Sequence, residues 1–222
     1  MNEINMKLDT IKFSSIEQAV ENSIPITSLQ NGEIVAHLIP VGKWILNRTK
    51  VLMSIAEWRN KYMRYYLTQF NADLENATNY IQSKIYSNSS AIFFMIADGE
   101  YKILGHIGFS NITSTTAELD NILLGEASSV RNLMQDIENQ SINWIRDFLG
   151  LEKIFLKVLS YNFLAIELHE MCGFQVEDRL PIRKVHNFKQ SRYEPCLFEE
   201  SNLDFQCLIM SKYLNINKKV NK

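Results

Sequence analysis

Thr116-Ala117-Glu118-Leu119-Asp120-Asn121-Ile122-Leu123-Leu124, stopped by Gly125, opens the stretch that decides the fold, which runs on to Phe174. The opening run reads as a strand. A polar elbow, Glu126-Ala127-Ser128-Ser129, leads into a helical pattern with Met134, Ile137, Ser141, Ile145 and Phe148 three or four residues apart on one face. Gly150 is placed to end that helix in the left-handed conformation. Lys153–Leu159 is apolar on both faces over its middle, as a central buried strand reads. Ser160-Tyr161-Asn162 leaves that strand, and a short helix, Phe163–Met171, stops at Cys172-Gly173-Phe174. The result is a β-α-β-α run, with a helical crossover between parallel strands and an exposed elbow after each strand.

Upstream, Glu33–Val41 is expected as a strand ending near Pro40, Val51–Tyr66 as an aromatic-rich helix, and Asp73 to about Ser87 as a second helix capped by Asp73. Ala91–Ala97 and Lys102–Ile112 read as strands joined by an Asp98-Gly99 turn. Residues 1–32 read as a polar extension with one short helix, Ser14–Asn22, capped by Ser15. After Phe174 the chain is expected to be extended through Val185. A long polar connection containing Pro195 follows, then a last strand, Asp204–Leu214, and a tail carrying Lys218, Lys219 and Lys222. The domain division is therefore an extension over 1–32, one domain over 33–214 and a tail over 215–222.

The 222 residues suffice for one core, and the 46% hydrophobic and 22% charged content is ordinary globular composition. A formal charge of −2 provides no basic field to draw nucleic acid or an anionic membrane. Cys172, Cys196 and Cys207 have no C-x-x-C spacing and cannot all pair, which fits a reducing compartment. The longest apolar run, Ala91–Ala97, is far short of a membrane span, and Met1–Lys7 lacks the apolar core of a signal peptide. A cytoplasmic protein is expected. Histidines 37, 106, 169 and 186 show no local metal-ligand spacing, so no metal is expected.

Val158 to Phe174 resembles the second acyl-CoA motif of the GNAT family of N-acetyltransferases: a strand, then Asn-x-x-Ala-x-x-Leu/Phe-Tyr-x-x-x-Gly-Phe. Asn162, Ala165, Leu168, Gly173 and Phe174 fall in one register, and the likeness extends over roughly Glu33 to Leu214. The resemblance implies a mixed α/β fold, with a central, mostly antiparallel sheet, a parallel pair that splays apart, and flanking helices. It implies acetyl-CoA as donor, a small-molecule amine as acceptor, and leaves a homodimer open.

The resemblance also implies residue roles. Pantetheine would run along Asn121, Ile122, Leu123 and Leu124 through their backbone groups. Pyrophosphate would sit on the elbow written Gln/Arg-x-x-Gly-x-Gly/Ala, here Ser129-Val130-Arg131-Asn132-Leu133-Met134, an anion on a helix N-terminus. Every signature position of that elbow departs, although Arg131 keeps a positive charge nearby. Asn162 would hold the pantetheine arm; an Asx-type helix cap is equally good physics. His169 replaces the tyrosine that protonates the departing thiolate, and an imidazole with a pKa near ~6.5 can serve. A partly buried structural histidine reads as well.

For the base, Asp120 and Glu118 lie two apart and so share one face of a strand; Asp120 is the first choice, with His106 the other candidate. Trp58-Arg59-Asn60 is similar to a segment of bacterial GNAT enzymes that acetylate nucleotide-linked amino sugars, where it walls the acceptor site. Trp58 in the core and an exposed Arg59 is the competing account. An amino-sugar N-acetyltransferase of surface-polysaccharide synthesis is thus expected. Rivals are a peptide, protein or polyamine acetyltransferase, and a non-catalytic binding module with the same fold.

Overall fold

The computed structural model describes residues 3–214, so the expected lysine tail lies outside the described residues. In chain order the elements are α1 (Glu3–Asp9), α2 (Ile16–Glu21), β1 (Ile24–Thr27), β2 (Ile34–Pro40), α3 (Thr49–Lys61), β3 (Thr68–Gln69) and α4 (Leu74–Tyr80). Then come β4 (Ile92–Ala97), β5 (Ile103–Ser110), β6 (Thr116–Leu124), α5 (Leu133–Leu149), β7 (Lys153–Leu159) and α6 (Phe163–Met171). Last are β8 (Gln175–Leu180), β9 (Ile182–His186), β10 (Ser191–Pro195) and β11 (Cys207–Tyr213). Eight strands form one sheet in the order β1-β2-β4-β5-β6-β7-β11-β8, and β3-β10-β9 form a second, small one. Among the described residues only β6 and β7 are parallel neighbours; the other ladders run antiparallel. This is the mixed, mostly antiparallel sheet with one parallel pair that the sequence predicts.

Alternation along β4 shows why the sheet has two covered faces. Ile92, Phe94 and Ile96 join a core with Ile137, Ile142 and Ile145 of α5. Phe93, Met95 and Ala97 point the other way, into a core with Leu52 and Ile55 of α3 and Ala77 of α4. β4 is therefore buried on both sides along its length, as its unbroken apolar run requires. Gly150, at φ +76°, ends α5 as expected.

Several boundaries differ from expectation. The boundary at residue 33 falls inside a hairpin, because β1 pairs antiparallel with β2, and both Leu8 and Ile26 are fully buried in the larger core. Their isolated apolar positions carry too little periodicity to announce an element. α3 stops at Lys61, not Tyr66, because Asn60 turns its amide onto the backbone N–H and C=O of Ala72, at 2.7 and 2.8 Å. The second helix begins on Asp73 as expected, through a capping box with Asn76, but continues from Ile81 to Tyr86 as a π-helical turn. The polar connection around Pro195 is a strand, β10, that pairs with β9; Pro195 sits at its last residue, where no further ladder bond is needed.

The elbow after β6 rests on a close approach. A Cβ on Gly125 would run into the indole of Trp58, whose Nε1–H donates to Glu126 at 2.9 Å. Gly125→Ala should therefore lose about 1–3 kcal/mol of stability, as overpacking does, and shift the elbow. Urea unfolding checks this; an unchanged midpoint would mean the contact is loose.

Candidate active site

β6 and β7 pair over only three positions, Thr116 with Lys153, Ala117 with Ile154 and Glu118 with Phe155, and then part. From Leu119 onward the edge of β6 that faces β7 has no ladder partner. In the gap lies a cavity of about 420 Å³, lined by residues 119–124 of β6, by Lys157 and Val158 of β7, and by Asn162, Ala165, Leu168 and His169. On the other side of β6 a second cavity, about 490 Å³, is lined by Arg59, Tyr66, Phe70, Tyr80, Lys84 and His106 among others. Asp120, Asn121 and Tyr66 line both. The two spaces meet at those three residues.

What makes them meet is a bulge. Asn121 is left-handed, φ +55°, a conformation that asparagine tolerates better than most residues. Across the ladder, Ile107 alone stands opposite Asn121 and Ile122, and the register shifts there. Gly105 admits the displaced strand, since a Cβ at that position would strike the Leu123 carbonyl. The His106 Nδ1 lies 2.6 Å from the Asn121 carbonyl, and because a carbonyl can only accept, Nδ1 carries the proton. Burial pushes His106 down to about 4, so the ring is neutral at physiological pH, with Nε2 left as an acceptor.

The carboxylates of β6 have different fates. Glu118 accepts from Asn111 at 2.6 Å and from Lys157 at 3.0 Å and lines neither cavity. Asp120 takes the backbone N–H of Asn121 at 2.7 Å and opens to both spaces; its side chain reaches solvent at their junction, and the walls of the two cavities desolvate it enough to raise its pKa. Smaller influences on it are Glu118, which raises, and Lys157 and Arg59, which lower. Above it, burial pushes the Tyr66 phenol up to about 12 and the Tyr80 phenol further, so both remain protonated.

Arg59 is held between two rings, its guanidinium carbon 4.4 Å from each of the Tyr66 and Phe70 centroids, and donates to the Thr68 carbonyl at 2.9 Å. Its companions in the Trp-Arg-Asn segment lie elsewhere. Trp58 is buried against Gly125, and Asn60 clamps Ala72; neither lines either of these two cavities. Asn162, the N-cap of α6, makes no side-chain cap hydrogen bond and lines the β6–β7 cavity. His169 is buried, with Nδ1 3.0 Å from both oxygens of the fully buried Glu138, and lines the same cavity. Only its Nε2 remains to serve a molecule there.

The elbow runs longer than expected, α5 beginning at Leu133. Asn132 stands where the resembling pattern has glycine, and it is left-handed at φ +58°, a conformation that glycine adopts freely and asparagine tolerates. Ser129, Arg131 and Asn132 are exposed, Leu133 is buried, Val130 packs on the core, and Met134 lines the cleft. The Ser128 hydroxyl accepts from Val130 N–H at 3.1 Å. Sequence reading missed Tyr80, Phe70, Lys84 and Lys157 as cavity residues; for Tyr80 and Lys84 a signal existed, since they continue the spacing of Ala77 on one helical face.

The acetyltransferase (GNAT) family model matches residues 52–174, more than half of the chain. The chain belongs to the acetyltransferase (GNAT) family. GNAT enzymes take acetyl-CoA as donor, and the parted edges of β6 and β7 fit it: unpaired strand edges can accept an extended, amide-bearing arm as an added strand. No curated protein sequence matches the chain. Among solved structures, spermidine N-acetyltransferase from Vibrio cholerae, in complex with CoA and spermine, superposes with a TM-score of 0.57 at 19% identity, over 80% of this chain and 95% of that one. A microcin self-immunity acetyltransferase in complex with acetyl-CoA and AMP gives 0.60 at 18%, over 86% and 98%. A Salmonella typhimurium acetyltransferase that modifies the N-terminal serine of a ribosomal protein gives 0.65 at 10%, over 87% and 100%. These likenesses show the fold. Among the described residues no cluster of three or more metal-ligating side chains exists, and no helix is long and apolar enough to cross a membrane.

The raised pKa of Asp120 has a consequence for stability. Its ionisation at neutral pH is disfavoured in the folded state relative to the unfolded chain, so the charge costs folding free energy there, and the cost fades as pH falls through the folded value toward the ordinary 3.8. Asp120→Asn should thus melt no lower than the parent at pH 8, and any advantage should vanish near pH 4. Paired thermal melts at the two pH values check this; a variant that melts well below the parent at pH 8 would show that the carboxylate is structurally required.

Proposed function

We propose that the chain acetylates the primary amine of a small acceptor that also carries an anionic part, a nucleotide-linked amino sugar being the class that fits best. The observation that supports this most is the charge pattern of the larger cavity: one carboxylate, Asp120, against two cations, Arg59 and Lys84. A polyamine would meet two like charges there, whereas an amine beside Asp120 with a phosphate toward Arg59 is matched at both ends. The rings of Tyr66, Phe70, Tyr80 and Phe93 add flat apolar faces of the kind that cover a sugar or a base.

In this reading the donor lies between β6 and β7 and supplies an acetyl thioester. Asn162 holds its arm, the elbow from Ser129 to Met134 takes its phosphates on backbone N–H groups, and Arg131 adds charge. Asp120, open to both spaces, takes the proton of the attacking amine, and neutral His106 orients that amine through Nε2. The departing thiolate takes its proton from Tyr66, at the junction of the two cavities, or from His169, whose ring is fixed by Glu138 on the donor side alone. Acid–base help of this kind is worth ~10²–10⁴ in rate.

The test is steady-state kinetics across pH on a panel of amines, with nucleotide-linked amino sugars, free amino sugars and polyamines side by side. The nucleotide-linked class should show the highest kcat/KM, with an acid limb set by Asp120 that disappears in Asp120→Asn along with most turnover. Arg59→Gln should raise KM for the anionic acceptor about tenfold while sparing acetyl-CoA affinity, consistent with loss of a charge-assisted contact. Preference for spermidine, undiminished in Arg59→Gln, would overturn the acceptor assignment. Tyr66→Phe and His169→Phe separate the two proton donors, since only the true donor's loss is relieved by a more acidic leaving thiol.

A further inference from the structure

A third concavity lies outside both cavities. It is a shallow groove of about 480 Å³ where the end of α3 and the turn after it meet the β9–β10 hairpin, lined by Lys61, Arg64, Gln69, Tyr161, Lys184 and Tyr193 together with Asn60 and Met63. No aspartate or glutamate lines it. The chain as a whole carries a net charge of −2, so this concentration of cations does not reflect a basic protein.

Each cation is held on an aromatic surface. Lys61 Nζ lies 5.1 Å from the Tyr62 ring, Arg64 4.6 Å from Tyr65, and Lys184 5.5 Å from Tyr193. Among the described residues none of the three makes an ion pair with a carboxylate; the nearby acid on the hairpin, Glu194, pairs with Arg192. A position in the last turn of α3 accounts for Lys61 through the helix dipole. It does not account for Lys184, which a different part of the chain carries to the same place.

The floor is rigid. The Tyr161 hydroxyl donates to the Arg64 carbonyl, and its ring stands edge-on to Phe205 at 4.7 Å, with Tyr193 edge-on to Phe205 at 5.5 Å. Gln69 Nε2 also donates to the Arg64 carbonyl, at 3.4 Å, so that backbone is fixed from two sides. The groove borders both functional spaces. Tyr161 precedes Asn162 and Tyr65 lines the donor cavity, while Thr68, next to Gln69 in β3, lines the acceptor cavity.

We infer that this groove is a phosphate-binding site, in which Lys61, Arg64 and Lys184 neutralise a phosphate or pyrophosphate group while Tyr161 and Tyr193 flank whatever carries it. The inference does not depend on the identity of the acceptor. The phosphate can belong to the donor, to an acceptor or to a separate small ligand, and the chemistry of recognition is the same.

The test is calorimetric titration of the full chain with inorganic pyrophosphate at low salt, on the parent, on Arg64→Gln combined with Lys184→Gln, and on Lys189→Gln. Lys189 is an exposed cation of the same hairpin that does not line the groove. Saturable binding is expected, weakened about tenfold in the double variant, as loss of two charge-assisted contacts implies, and unchanged in Lys189→Gln. Parallel titrations with CoA and dephospho-CoA identify the source. Weakening of pyrophosphate together with either coenzyme form assigns the phosphate to the donor, CoA without dephospho-CoA pointing to its 3′-phosphate, and weakening of pyrophosphate with both coenzyme forms unaffected assigns it elsewhere. Far-UV circular dichroism confirms that the variants fold. Absence of pyrophosphate binding to the parent, equal binding by parent and double variant, or equal loss in Lys189→Gln would overturn the inference.

Discussion

One hydrogen bond, from His106 Nδ1–H to the carbonyl of left-handed Asn121, fixes the geometry on which the site depends. It ties the bulge in β6 to β5 at 2.6 Å and does so inside the sheet, where an unpaired carbonyl would be costly. The bulge lies beside Asp120, which lines the space where two cavities join, and β6 beyond Glu118 has no partner on its β7 side. Parallel strands ordinarily continue side by side; here three paired positions anchor the pair and a cavity opens between the strands beyond them. At Gly105 the Leu123 backbone, and at Gly125 the Trp58 ring, approach to a distance that a side chain would forbid.

The electrostatics follow from that placement. Asp120 is desolvated, and His106 is neutral because burial outweighs the hydrogen bond that would favour its charge. Protonated Tyr66 and Tyr80 surround them, and Arg59 keeps its charge between two rings although burial lowers its pKa. A carboxylate held above its ordinary pKa is less stable as a folded-state charge and better matched to taking a proton near neutrality. Glu118, two residues away on the same strand, is ion-paired with Lys157, accepts from Asn111 and lines neither cavity.

The parallel crossover was legible in the sequence because its signals are local: a nine-residue strand stopped by glycine, a period of three to four in α5, and Gly150 at its end. The bulge was not, since left-handed Asn121 looks like any polar residue in a strand, and its cause lies in Gly105 on the neighbouring strand. Strand period places Glu118 and Asp120 on one face; their partners, Lys157 and Asn111 on Glu118 and the two cavities at Asp120, separate them. The Trp58-Arg59-Asn60 resemblance treats three consecutive residues as one unit, yet a helix sends their side chains in different directions, and only Arg59 lines the larger cavity. β1 and β10 escaped notice because each is short and needs a partner distant in sequence to be recognised.

The central claim is that the unpaired edge of β6 beyond Glu118 receives the donor, with Asp120 at the inner end of that edge. Amide hydrogen exchange with and without acetyl-CoA tests it most directly. Slowed exchange confined to 119–135 and 156–166, the β6 edge with its elbow and the β7–α6 junction, is what the account predicts, with β1 and β2 unaffected. Unchanged exchange over 119–124 in the presence of saturating acetyl-CoA, or protection centred on the β9–β10 hairpin instead, would contradict it.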